Sequence, residues 1–508
     1  MIVNTIADLK LAAIPTENYA NVLGYYSIGD GGGGEFYWDA ASTDNENGGT
    51  IFQQTGTTTG RWKRIFSGEF EISWFGAKGD GVTDDTAAFQ AAASFFQIIP
   101  SPGFTHTRAI PKLNACSARG YVITDTIYFK PLTGGRSICF NNTSQLIYRG
   151  TKDRPCIIFE NYNHSDFTIS VIGDSAVNAS TDTSIGVIFR SVMFSNIKVN
   201  IAARFRTLVL CEADGALNQS GFAWNNIWLN KMWAAIDYFV VSSINNGWPN
   251  ANLVYGGSFG YSTGDITGLN SNIISFVKAV SDGTYYSNAW TFHGCQFEGG
   301  SLASFGSDSH IECINCSTSL VQGWRFEKIR FEAHDTTMHL GLLGNSTTSF
   351  ADVKVNYMLT VGATAEQLSM TFMNGCKSIN IETADFILEL YNLNHNLKKA
   401  GTTYLFKNID SFHHRSSTGQ INSTTNFSSY YPAHIYKLDG QVSLSIYSNS
   451  RVRFGLLDAN MNIITNTNGL LTSQINNIVR GNISFTATNN CLIASGGNAT
   501  TNSKELVY

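Results

Sequence analysis

Glu298 and Glu332 end two segments that read almost alike, WTFHGCQFE (290–298) and WRFEKIRFE (324–332), thirty-four residues apart. If thirty-four residues make one repeat, the two carboxylates stand side by side. Paired carboxylates suit glycoside hydrolysis: one stays protonated as the acid while the other acts as base or nucleophile. Their mutual repulsion helps to push the two pKa values apart. A separation of about 5 Å implies retention at the anomeric carbon and roughly 6.5–9.5 Å implies inversion; flexible side chains leave both open. Glu327 and Asp335 are nearby alternates. The competing reading is a solvated column of Glu residues, or one paired with Arg325, Lys328 and Arg330.

Strand alternation assigns the neighbours. With Phe292, Cys295 and Phe297 facing inward, His293, Gln296 and Glu298 face outward, followed one repeat later by Glu327, Arg330 and Glu332. Trp228, at twice the offset, falls with Gln296 and Arg330. An exposed indole there is a platform for the apolar face of a sugar ring, or else packs beneath the 245–288 insertion or against another subunit. Trp248, Tyr255 and Tyr261 are further candidates for lining a groove. Arg325 and Arg330 either bind an acidic sugar's carboxylate bidentately or neutralise Glu327 and Glu332.

A second acidic group, Asp80, Asp84 and Asp85 in WFGAKGDGVTDDTAAFQAA, reads as architecture. Thr83 or Asp84 can cap the helix that follows, and acidic residues in a first turn are favoured by the helix dipole. Asp80, between Gly79 and Gly81, reads as a turn residue. The run GDGGGGEFYWD lacks the Lys-Ser/Thr of a phosphate loop and predicts a turn leading into a strand. Cys313-x-x-Cys316 has no partner pair, no histidine lies in an HExxH motif, and neither a metal nor a cofactor is expected.

The elements that position these residues are short strands. From about residue 120 to 385 the chain is nearly helix-free, and the same unit recurs in VMFSNIKVN (192–200), FAWNNIWLN (222–230) and NGCKSINIE (374–382). A supersecondary unit repeated at variable intervals without crossover helices describes a stacked solenoid. Its expected apolar columns are Phe194/Trp224/Phe292/Phe326 and Ile197/Ile227/Cys295/Ile329. Forty-seven glycines against eight prolines suit many tight turns. The net charge of −5 argues against nucleic acid or an anionic membrane as partner. No apolar run reaches the roughly 18 residues of a membrane span, so no membrane insertion is expected. The odd count of nine scattered cysteines does not read as a disulfide framework.

WFGAKGDGVTDDTAAFQAA followed by such coils resembles the pectate-lyase-like right-handed parallel β-helix. GYYSIGDGGGGEFYWD through GRWKRIF resembles the neck that precedes the β-helix in bacteriophage tailspikes and capsule depolymerases. The resemblance implies an all-β right-handed parallel β-helix solenoid with a small N-terminal neck domain (1–75), a capping helix within the β-helix region (76–430), and a C-terminal β-rich trimerisation or glycan-binding region (431–508). It also implies a homotrimer held on a phage tail or baseplate protein, made in the host cytoplasm and carried in the virion. Its partner would be a bacterial surface polysaccharide: capsule, exopolysaccharide or O-antigen. Such spikes usually carry a virion anchor before the neck, so the chain is either a piece of a longer spike or attaches through another protein. Three activities stay open: an endo-glycosidase, a polysaccharide lyase, and a glycan-binding spike without catalysis. The absence of an Asp-rich calcium column ranks the lyase below the hydrolase.

Overall fold

The computed structural model describes residues 1–98 except 15, 110–260 except 133, most of 261–330, and beyond residue 330 the strand backbones alone. Asp335 lies outside the described residues, as does the side chain of Glu332. The chain divides into two compact units, Met1–Ala235 with Ile244–Trp248, and Ile236–Ser243 with Pro249–Tyr508.

The first unit opens with a small sheet in the order Ile2–Val3, Tyr19–Val22, Gly34–Asp39, Arg61–Arg64, Ile51–Gln53, the last four antiparallel. Ile6 and Leu9 of helix Ile6–Leu11 pack with Phe36, Phe52 and Trp62. The glycine run is the expected turn into a strand. Asp30 accepts four backbone N–H groups, from Tyr25, Tyr26, Ser27 and Gly32. Arg64 crosses under it to the carbonyls of Gly32 and Gly49.

Helix Thr86–Ile98 follows, and its acidic prelude is structural as expected. Asp84 accepts from Thr86 N (3.0 Å) and from Thr124 Oγ1 (2.7 Å). Asp80 accepts from Thr83 N and Oγ1 and from Val82 N, which holds its carboxyl down at about 2. Asp85 clamps the preceding turn through Lys78 N (2.6 Å) and Gly79 N (3.1 Å). The helix buries Phe89, Phe95 and Phe96 against Tyr121, Phe70 and Phe129.

Parallel coils succeed it. One wall stacks Lys112–Ala115, Cys139–Asn142, Asp166–Gly173, Asn196–Ala203 and Asn226–Trp233. Phe140, Phe167, Ile197 and Ile227 fall in register along its inner face, all fully buried. A second wall stacks Ile127–Phe129, Pro155–Glu160, Ile185–Arg190 and Thr207–Asp214, with the Phe129, Phe159 and Phe189 rings 5.4 and 5.5 Å apart inside. Buried apolar columns shared by successive coils are the source of solenoid stability, since no coil can bury its inner face alone.

The second unit continues the pattern. Leu253–Gly260, Thr291–His293 with Gln296–Gly299, Arg325–Ala333 and Lys354–Leu359 form one wall. Asp237–Ile244, Ile273–Ser281, His310–Thr318 and Met338–Leu343 form another. Each coil has three strands, the third wall being Trp248–Asn250, Ser287–Asn288 and Val321–Gln322. This is the parallel β-helix. From Phe386–Asn392 onward the pairing is antiparallel and β-rich, through Tyr404–Asn408, Ala433–Ser448, Val452–Leu457 and Gly481–Gly496.

Three expectations need correction. Residues 245–288 are not an insertion; they supply wall strands. The wall position after Arg325–Ala333 belongs to Lys354–Leu359, whereas Cys376–Glu382 pairs with Ala351–Asp352 and Phe386–Asn392. The column Phe194/Trp224/Phe292/Phe326 does not exist as one. Phe292 and Phe326 are buried, but Phe194 and Trp224 are 42% and 48% exposed at the corner before their strands. The left-handed corners before these strands, Trp224 and Ala289, and the strand starts Asn226 and Thr291, are both sixty-five residues apart rather than sixty-eight, because the coils differ in length. An ungapped comparison across the units therefore slides by three positions. Ile197, Ile227, Cys295 and Ile329 are all buried.

Candidate active site

Three rows of residues run in register across successive coils of the second unit. Tyr255, His293 and Glu327 are in register. Ser258, Gln296 and Arg330 form the next row. Glu298 and Glu332 form the third, directly paired across neighbouring parallel strands. Gly294 and Lys328 occupy the same place in their strands, so the bulge is common to both and the carboxylates stay in register. After it, Cys295 and Phe297 point in and Gln296 and Glu298 point out.

Glu298 is half-buried and accepts hydrogen bonds from Ser258 Oγ (3.0 Å) and Gln296 Nε2 (2.7 Å), both uncharged donors. Neighbouring strands lie ~4.8 Å apart, so the Glu298 and Glu332 backbones meet the spacing that either glycosidase geometry needs. Glu327 faces His293 instead, with Nδ1 and Oε2 3.6 Å apart, too long for a hydrogen bond and an ion pair only when the imidazole is protonated. The Tyr255 ring meets His293 edge-on, centroids 6.3 Å apart. Glu298 lies five residues beyond the His293–Glu327 row, roughly 15 Å along the strand at about 3.3 Å per residue. That exceeds the reach of an acid–base couple with Glu327. Arg325 and Arg330 are exposed on the same strand.

Trp228 is 41% exposed and belongs to the first unit, beside Lys198. It is the third residue of its strand, the position held by His293 and Glu327 in theirs rather than by Gln296 and Arg330. The same slip of register accounts for this correction. Asp237 is paired with Lys278 at 3.0 Å.

One carboxylate cluster escaped the sequence reading. Glu160, Arg190 and Glu212 are neighbours across three strands of the first unit. Arg190 bonds both, at 3.1 Å to Glu160 and 2.5 Å to Glu212. Lys130 lies 2.7 Å from Glu160, and Tyr128 donates its hydroxyl to it. Burial pushes the Glu160 carboxyl up, but Lys130, Tyr128 and Arg190 together outweigh it and hold it below the usual value. Burial, then the carboxylate, raises the Tyr128 phenol. A carboxyl held ionised by two cations cannot serve as an acid. The available signal was the alternation of sign in Phe-Glu, Phe-Arg and Cys-Glu at strand ends.

Among the described residues, no group of three His, Cys, Asp or Glu is arranged to hold a metal ion, and no helix is long and apolar enough to cross a membrane.

The chain is thus a parallel β-helix in which Glu298 and Glu332 pair across neighbouring strands, preceded in sequence by a small β-sheet domain. Residues 2–67 match the family described as the phage tail protein small four-stranded beta-sheet domain. The chain is 35% identical over 107 residues to a Mu-like prophage FluMu defective tail fiber protein of Haemophilus influenzae, covering 20% of this chain and 17% of that one. The match thus spans under a fifth of that relative's length. Among solved structures, the tailspike protein of Acinetobacter baumannii phage AM24 is similar at 14% identity and a TM-score of 0.42, with 98% of this chain and 90% of that chain covered. Tailspike gp49 of Acinetobacter baumannii bacteriophage Fri1, a capsular polysaccharide depolymerase, is similar at 10% identity and a TM-score of 0.35, with 97% of each chain covered. The fold assignment rests on the strand registers themselves.

Proposed function

We propose that this chain is a phage tailspike depolymerase that binds a bacterial surface polysaccharide and cleaves it as an endo-glycosidase, with Glu298 and Glu332 as the acid and its partner. The observation that carries the reading is the Glu298–Glu332 register, with Glu298 held by uncharged Ser258 and Gln296. Two donors from neighbouring wall residues fix the Glu298 carboxyl in place, as an acid–base group must be. Gln296 and Arg330 stand beside the pair as substrate contacts, with His293 and Arg325 further along the same wall. Asp335 is retained as an alternate. The N-terminal match to a phage tail domain supports a place in the virion tail, joined to a tail or baseplate protein. The homotrimer is part of the same proposal, as is the division at 1–75, 76–430 and 431–508. Sedimentation at micromolar concentration should give three chains, and a stable monomer would refute that part.

The test is substitution. Glu298→Gln and Glu332→Gln should each cut turnover by about 10²–10⁴-fold, because an amide keeps the shape but exchanges no proton. Glycan binding should survive. Near-wild-type rates in both variants would remove the pair from the chemistry. A lyase is the second reading, favoured by the Tyr255–His293–Glu327 row with Arg325 nearby, since a lyase needs a Tyr or His base and a cation on the uronate carboxylate. Under it, Tyr255→Phe and His293→Gln would abolish cleavage while the two Glu→Gln variants stay active.

A further inference from the structure

One residue per coil occupies the left-handed corner before the long wall. In the second unit these are Ala251, Ala289 and Gly323, at φ 55°, 54° and 64°. In the first they are His164, Phe194 and Trp224, at 48°, 51° and 56°. The corner is the same in both: the Phe194 N–H donates to Ala223 O as the Ala251 N–H donates to Asn288 O. This backbone region suits Gly, Asn and Asp, and a bulky residue there is an outlier. At the equivalent corner the second unit carries small residues alone, Ala251, Ala289 and Gly323. Outliers of this kind cluster at ligand clamps.

The three rings stack, His164 on Phe194 at 5.1 Å and 13°, Phe194 on Trp224 at 4.8 Å and 9°. Trp248 meets Trp224 edge-on at 5.6 Å. Stacking nevertheless leaves Phe194 and Trp224 nearly half exposed. Two residues further along each coil runs a polar row. Asn226 Nδ2 donates to Asn196 Oδ1 at 3.3 Å, and Asn196 Nδ2 donates to Asp166 Oδ1 at 2.9 Å. Each of these side chains keeps donor or acceptor capacity beyond those bonds. Apolar ring surface beside a row of amides and one carboxylate matches a hydroxyl-bearing chain: C–H groups lie against the aromatics and hydroxyls bond the amides. The polar row carries a single formal charge, which fits an uncharged stretch better than an acidic one.

We propose that this strip is a second carbohydrate-binding site, which holds a length of polysaccharide without cleaving it. The inference rests on the depolymerase reading above. It assigns the strip to a glycan chain rather than to a second copy of this chain.

The test uses the full chain carrying Phe194→Asn and Trp224→Asn together, since Asn accepts the left-handed corner and the backbone need not move. The probes are purified bacterial capsular and O-antigen polysaccharides, among which the wild type selects its polymer, and the shortest oligosaccharide of that polymer that the wild type cleaves. KM for the polymer should rise about tenfold, the loss expected for two aromatic contacts. The turnover number, the rate on the short oligosaccharide and the sedimentation coefficient should stay unchanged. His164→Asn alone should give a smaller rise of the same kind. An unchanged KM, an equal loss on the short oligosaccharide, or dissociation into smaller species would each overturn the inference. A wild type that neither binds nor cleaves any of the polymers would instead refute the depolymerase reading, and the strip's role with it.

Discussion

In the first unit, Glu160 and Glu212 stand on either side of Arg190; in the second, Glu298 and Glu332 stand next to each other. Both sets arise from the same geometry, in which parallel coils bring equivalent outward residues together. Their chemistry differs because of what fills the neighbouring positions. Glu160 and Glu212 side chains are only 3% and 9% exposed, and two cations and a phenol take up their oxygens. A buried carboxylate with its cations satisfied is committed to the fold, whereas Glu298 is positioned by a hydroxyl and an amide. Carboxylate proximity alone therefore does not mark a catalytic pair on a solenoid; the partners decide.

The contrast is most exposed to Arg190. Arg190→Gln leaves the sheltered Glu212 carboxylate without its cation, with Glu160 still held by Lys130, and should cost about 3–5 kcal/mol, as breaking a buried ion pair does, with turnover per folded molecule retained. Glu298→Gln should cost less than about 1 kcal/mol, since the amide keeps the shape and no charge pair is broken. Equal destabilisation by the two in chemical unfolding would erase the distinction between the columns.

Acid sharpens it further. The Glu160 carboxyl lies lower in the folded state than its unfolded value of about 4.5. Between those two values the unfolded chain binds the extra proton, so stability rises with pH there. The contribution is fully present above the unfolded value and is lost as pH falls through the folded one. Unfolding followed from pH 6 down to pH 3 should show a steeper loss in the wild type than in Glu160→Gln, and identical slopes would contradict the account. A smaller effect is expected at the helix cap. Asp85→Asn should lower stability by about 0.5–2 kcal/mol, the range for a lost cap contact, with near-normal turnover.

Legibility in the sequence followed the same boundary. The Glu298–Glu332 register could be read because a single coil separates the two strands and both carry a positive-φ residue at the same place, Gly294 and Lys328. The glycine turn and the structural role of the acidic residues before the helix could be read because they are local, although Asp85 rather than Thr83 or Asp84 holds the position just before Thr86 and accepts the first helical hydrogen bond. The placement of Trp228 could not, since the coils differ in length and a fixed offset of thirty-four residues does not carry from one unit to the other. Phe194 and Trp224 look like core residues in any one-dimensional pattern; only the corner geometry turns them outward. Glu160, Arg190 and Glu212 were hidden because their spacings, thirty and twenty-two residues, differ and their signs alternate.

The most direct test of the central claim is mass spectrometry of the oligosaccharides released from the host polysaccharide by the wild-type chain in oxygen-18-labelled water. Hydrolysis by the Glu298–Glu332 pair predicts one labelled oxygen at each new reducing end and saturated sugars throughout. Products ending in an unsaturated uronate without label, or no products from a polymer that the chain binds, would contradict it.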